Sequence, residues 1–181
     1  MKKAFSIIMV LILAFMVIAC GSGKGGSKNT PPWFDDFPPE DVLWGIGTAK
    51  LSDRSQAMAF AENQGRVAIA RQLDAKVQAM LTDYFLSAGN ANNPASTQLK
   101  ENVSRTITNM NVSGAKPIKK WEGPDGTMWY LLEMKKADAK SSVASILGNE
   151  EAAYAQFKAQ QALDMLDAQL SKSEKASAYV D

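Results

Sequence analysis

The chain has 181 residues, 46% apolar and 22% charged, which fits one modest globular domain with extras and not two large ones. A formal net charge of +1 gives neither the basic excess of a nucleic-acid binder nor an acidic tail for cations. With no histidine and one cysteine, Cys20, the sequence holds no His-based acid/base pair, no His or multi-Cys metal site and no intramolecular disulfide.

The N-terminus is an address. Lys2 and Lys3 form a short positive start, and residues 4–16 contain one polar residue, Ser6. The apolar run of residues 4–19 would make roughly 24 Å of helix, short of the roughly 30 Å hydrocarbon core, so it reads as a cleaved secretory leader and not a permanent span. Val17-Ile18-Ala19-Cys20 resembles the lipobox of bacterial lipoproteins. That resemblance implies that the Cys20 sulfur carries a diacylglycerol and becomes the mature N-terminus, and Gly21 in place of Asp implies the outer membrane of a diderm bacterium. A plain leader with an incidental cysteine is the bland alternative. Removing Lys2 and Lys3 leaves 18 basic against 19 acidic residues, so attachment falls to lipid and not to a polybasic patch.

Residues 21–30 (GSGKGGSKNT) read as flexible linker, without the spacing of a phosphate loop. Residues 31–39 (PPWFDDFPP) differ: four prolines predict an extended segment, and Trp33, Phe34 and Phe37 offer a large apolar area. Two readings compete, a strap laid over the domain that hides the aromatics and a docking peptide for a partner. The strap is preferred because few soluble chains leave three aromatics in water.

Residues 42–49 (VLWGIGTA) predict the first strand, with Gly45 and Gly47 on one face and therefore open to close approach by a crossing helix. A dinucleotide motif would need a third glycine where Lys50 stands. Asp53 and Gln56 then suggest a cap for a long helix over 54–86, with an apolar stripe of Ala57, Phe60, Ala61, Val67, Ala70, Leu73, Val77, Met80, Leu81 and Tyr84. At about 50 Å it must overhang the sheet or bend, with Gly65 as the weak point. Residues 87–95 form a loop. Leu99, Val103, Ile107 and Met110 mark a short helix.

Residues 111–122 predict the second strand and 127–135 the third, joined by the turn Gly123-Pro124-Asp125-Gly126. Met128, Tyr130, Leu132 and Met134 share one face, so one side of the sheet is fully buried and the other partly. Ala139, Val143, Ile146 and Leu147 suggest a helix ended by Gly148. Asn149 would cap a last helix, with Glu150 and Glu151 at its positive end. Its stripe of Ala155, Ala159, Ala162, Leu163, Leu166 and Leu170 is expected to pack on the sheet.

The expected fold class is therefore α+β: a small antiparallel sheet of about three strands in β-α-β-β-α order, packed by a long helix and a C-terminal helix. The organisation is a leader at 1–19, a lipid-anchored tether and strap at 20–41, the domain at 42–172 and a frayed tail at 173–181.

Cys20, Pro32-Trp33, Gly45-Ile46-Gly47, the Ala-rich run of 57–71 and the hairpin of 121–130 occur in an order that resembles the small outer-membrane lipoprotein family named after a twenty-kilodalton lipoprotein antigen. The resemblance covers roughly residues 32–147 and implies an α+β domain without known catalytic residues, related to flagellum-associated envelope lipoproteins.

For chemistry the sequence offers little. Ser113-Gly114-Ala115-Lys116 matches S-x-x-K, but on an expected strand the two side chains diverge and no K-T-G or S-D-N follows. Asp35-Asp36 and Glu150-Glu151 are sequence neighbours, which diverge on regular elements. The expectation is a non-catalytic envelope protein that acts through contacts, with no cofactor, no metal and no nucleic acid. Its partners would be the membrane, through the lipid on Cys20, and other envelope proteins. Candidate contact residues are Trp33, Phe34 and Phe37. One alternative is a carrier of a small apolar or lipid ligand, suggested by nine methionines. A flagellum-associated assembly factor is the other.

Overall fold

Two glycines with no side chain, facing a helix built of alanines, set the geometry of this protein. A computed structural model describes residues 29–90, 93–110, 112, 114–153 and 157–177. The leader, Cys20 and the linker up to residue 28 lie outside the described residues, as do Ser113 and Ala155. In chain order the elements are β1 (Val42–Ala49), α1 (Arg54–Ser87), α2 (Pro94–Asn109), β2 (Lys116–Glu122), β3 (Met128–Lys135), α3 (Lys136–Ala153) and α4 (Ala159–Ser177). The fold is α+β. The three strands are antiparallel in the order β1-β3-β2, with Gly45 opposite Leu132 and Trp121 opposite Trp129.

α1 starts where expected: the Asp53 carboxylate accepts the Gln56 N–H at 2.9 Å. Its first half lies on the sheet along Ala57, Ala61, Gly65 and Ile69, all buried. Contact here is backbone to backbone. A Cβ added to Gly45 would stand 2.2 Å from the Gly65 carbonyl oxygen, and one added to Gly47 would stand 1.9 Å from that of Ala61. The expected close crossing is present. Gly65 is not a weak point, since α1 runs unbroken through it; its missing side chain makes room for Leu132, whose Cδ1 would lie 2.4 Å from a Cβ there.

This close approach also corrects the expected stripe. Phe60 and Val67 fall outside it, because the helix turns Ala57, Ala61, Gly65 and Ile69 toward the strands. Ile69, absent from the stripe as read, is fully buried. The second half of α1 overhangs the sheet, and Leu73, Val77, Met80 and Leu81 are buried against α2 and α4. Gly89, at φ 71°, ends α1 in a left-handed residue, with the Asn90 N–H returning to the Phe85 carbonyl.

The 123–126 turn closes as expected, with Gly126 at φ 80° and the Gly123 N–H on the Thr127 carbonyl at 2.8 Å. β2 is shorter than expected and begins at Lys116.

The C-terminal helices depart further from expectation. Gly148 does not end a helix: it lies exposed inside α3, which continues to Ala153, and Asn149 caps nothing. α4 begins at Ala159, eight residues after Glu151, and the Glu151 carboxylate accepts its first N–H at 3.1 Å. Phe157 is buried at the junction in edge contact with Tyr84, and the Tyr84 hydroxyl accepts the Lys158 N–H at 3.0 Å. Phe157 and the Tyr84 hydroxyl thus hold the start of α4 against α1. α4 packs on α1 and α3, not on the sheet, through the buried Ala159, Ala162, Leu163, Leu166 and Leu170. It extends to Ser177, past the expected boundary at 172.

Candidate contact surface

The helices cover one face of the sheet and leave the other open. Side chains alternate along a strand, so the outer face carries Val42, Trp44, Ile46 and Thr48 from β1, and Trp129, Leu131 and Glu133 from β3. Opposite Trp129, β2 adds Trp121, and opposite Leu131 it adds Lys119. A face so rich in tryptophan needs cover, and residues 31–41 supply part of it.

The strap is not extended. The Phe34 N–H donates to the Pro31 carbonyl at 3.0 Å and the Asp36 N–H to that of Trp33 at 3.1 Å, so the chain folds back twice. Pro32 at the second position of the first turn presets φ for that reversal. The Phe34 ring then stands edge-on to Trp129, with centroids 5.5 Å apart and planes at 84°. On the same face Leu131 is fully buried, and the Trp129 indole nitrogen is buried without a hydrogen-bond partner.

A polar chain holds the strap from the side. Asp36 pairs with the Lys119 ammonium at 3.1 Å. That ammonium sits 5.9 Å from the centre of the Trp44 ring, and the Trp44 indole N–H donates to Glu133 at 3.0 Å. In the sequence nothing separates Lys119 from Lys116 and Lys120. A β-bulge between Pro117 and Lys119 turns it onto the outer face.

The three candidate aromatics therefore divide. Phe34 docks on Trp129 and stays 43% exposed, Trp33 is half-buried, and Phe37 is 80% exposed. A strap hiding all three is corrected by Phe37: Pro38 directly after it holds it in extended backbone, and its ring stays in solvent.

The remaining motifs are scattered. Lys116 opens β2, exposed and opposite Glu133. Of the acidic pairs, Asp36 is held by Lys119 and Glu151 by the start of α4. Gly45 and Gly47 are filled by the α1 backbone, which leaves no room for a phosphate between them. Met80, Met128 and Met134 are buried in the packed core. The cavity lined by Tyr84, Phe85, Leu99 and Phe157 has a volume of about 30 Å³, room for a single water and not for an acyl chain.

Among the described residues no three of Asp, Glu and Cys stand close enough to hold a metal ion, and no helix is long and apolar enough to cross a membrane. Asp125 is held below the usual carboxylate range by the Thr127 hydroxyl first, then by the Thr127 N–H and Lys50. Those contacts fasten the hairpin turn. No family model, curated protein or solved structure matches the chain.

Proposed function

We propose that this protein is a lipid-anchored component of a cell envelope that works by contact and not by reaction, with the strap face as its contact surface. The observation that carries this reading is the division of the strap aromatics. Phe34 is held on Trp129, while Phe37, three residues on, is 80% exposed. An exposed aromatic on a fastened support is the usual form of an interface anchor. The resemblance of residues 17–20 to a lipobox, and of the motif order to that of the twenty-kilodalton lipoprotein family, supports the anchoring half and the outer-membrane placement.

Each half has its own test. Cells fed a labelled fatty acid should label the wild-type protein, and Cys20→Ala should lose both the label and the membrane fraction. Wild-type protein without label would remove the anchor. For the contact half, a photoreactive side chain placed at Phe37 should give discrete crosslinks to an envelope component in intact cells, while the same probe at Ser145, exposed on α3, should not. The same pattern at both positions would refute the contact surface.

A further inference from the structure

The sheet has two edges, and they differ. β2 carries Lys116, Lys119 and Lys120, contains Pro117, and shifts register between Pro117 and Lys119. Lysines, a proline and a bulge are the features that stop an edge strand from pairing with another chain. β1 has none of them: VLWGIGTA holds no charge and no proline, and its eight residues pair with β3 without a shift.

The open side of β1 is defined by its hydrogen bonds. The Lys136 N–H donates to the Asp41 carbonyl at 2.9 Å. Peptide groups alternate along a strand, so the odd-numbered residues of β1 exchange with β3, and Trp44, Ile46 and Thr48 turn theirs outward. The Gln72 side chain from α1 donates to the Trp44 carbonyl at 2.7 Å, which covers one end. The peptide groups of Ile46 and Thr48 are left facing outward.

Gln72 also locates a row of α1. Phe60, Gln64, Ala68 and Gln72 follow at four-residue spacing along one side of the helix, so this row runs beside the open edge. None of the four is charged. Phe60 is 51% exposed and stands level with Gly47, since Gly47 abuts the neighbouring Ala61.

We propose that this edge takes a second copy of the chain, β1 pairing antiparallel with β1 about a twofold axis through Gly47 to make one six-stranded sheet. In that register Ile46 of each copy lies opposite Thr48 of the other, and each pair exchanges both N–H···O bonds. The outward peptide groups of Ile46 and Thr48 are then matched, with no like charges facing each other. The helices also fit. α1 lies over β1 and β3, so the two copies of α1 stand about two strand spacings apart, roughly 9.6 Å, within the usual distance for packed helices. Phe60 meets its counterpart near the axis and leaves water. A foreign strand would satisfy the same peptide groups but would bring no second Phe60, and for this reason the second copy is the better occupant.

The test is the oligomeric state of the full chain, extracted in mild detergent and followed by sedimentation to millimolar concentration. Wild type should dimerise. Thr48→Pro removes one outward N–H without touching the β3 ladder, and Phe60→Glu sets two like charges at the axis; each should abolish the dimer. Thr48→Val should keep it. Circular dichroism and the thermal midpoint show whether each variant is folded, and the two variants act through different elements. A wild-type chain that stays monomeric overturns the proposal. So does a dimer that survives both Thr48→Pro and Phe60→Glu, or an edge that pairs with an added extended peptide and never with itself.

Discussion

Replacing Gly47 by alanine adds one methyl group, and the structure puts that methyl inside the backbone of α1. Its Cβ would lie 1.9 Å from the Ala61 carbonyl oxygen and 2.3 Å from the Gly65 nitrogen. An ordinary contact is about 3.4 Å, so α1 has to lift from β1 by roughly 1.5 Å or the strand has to yield as far. Neither neighbour is a flexible side chain. Conformational strain plays no part, since Gly47 does not have positive φ. Overpacking of this kind costs typically 1–3 kcal/mol, and a clash with helix backbone belongs at the upper end, about 3 kcal/mol. A chain of this size loses roughly 2–4 °C in Tm per kcal/mol, so the midpoint should fall by about 6–12 °C. Urea unfolding of Gly47→Ala against wild type measures it directly. Gly148→Ala is the matched control: it is helical, exposed and has open space around its Cβ, so the same methyl should stabilise by about 0.5–1 kcal/mol. A Gly47→Ala loss below about 1 kcal/mol, or the same sign for both variants, would refute the close crossing.

Other expectations are more local. Phe157→Ala empties the space between Tyr84 and Phe85 and should cost about 3–5 kcal/mol, with faster amide exchange in α4 than in α2; uniform exchange would mean that Phe157 does not anchor that helix. Phe34→Ala should cost about 1 kcal/mol through the lost Trp129 contact, and Phe37→Ala under about 0.5 kcal/mol, so equal losses would contradict the division of the strap. Asp125 titrates below its unfolded value, so its contribution is present above that value and is lost as the pH falls through the folded one. Thr127→Val removes the leading cause, and carboxyl NMR should then show the Asp125 midpoint moving up. An unchanged midpoint would mean that Thr127 is not the cause.

The readings that hold depend on neighbours close in sequence. Turn chemistry at 123–126 needs only Pro124 and Gly126, and the two faces of β3 follow from its alternation. Gly45 and Gly47 announce a close approach by lacking side chains on one face. The errors arise where distant segments compete for one surface. Gly148 reads as a helix end because glycine is a poor helix former. The cost is at most about 1 kcal/mol, however, and a continuous α3 packed by Val143 and Leu147 outweighs it. Phe157 gives no periodic signal, because a single aromatic in a connection has no partner spacing to betray it.

The proposed contact surface is half visible in the sequence. Composition singles out Trp33, Phe34 and Phe37, while Lys119 and Trp129 enter through pairing across the sheet. By itself, then, the sequence determined the α+β class, the strand faces and the glycine crossing, all properties of residue type and short spacing. Only the tertiary structure decided that Phe60 stays half in water, that Phe34 docks while Phe37 does not, and that β1 keeps an open edge. Burial and strand pairing belong to two segments at once. Which segment lies against which is set by packing across tens of residues, not by the pattern within any one of them.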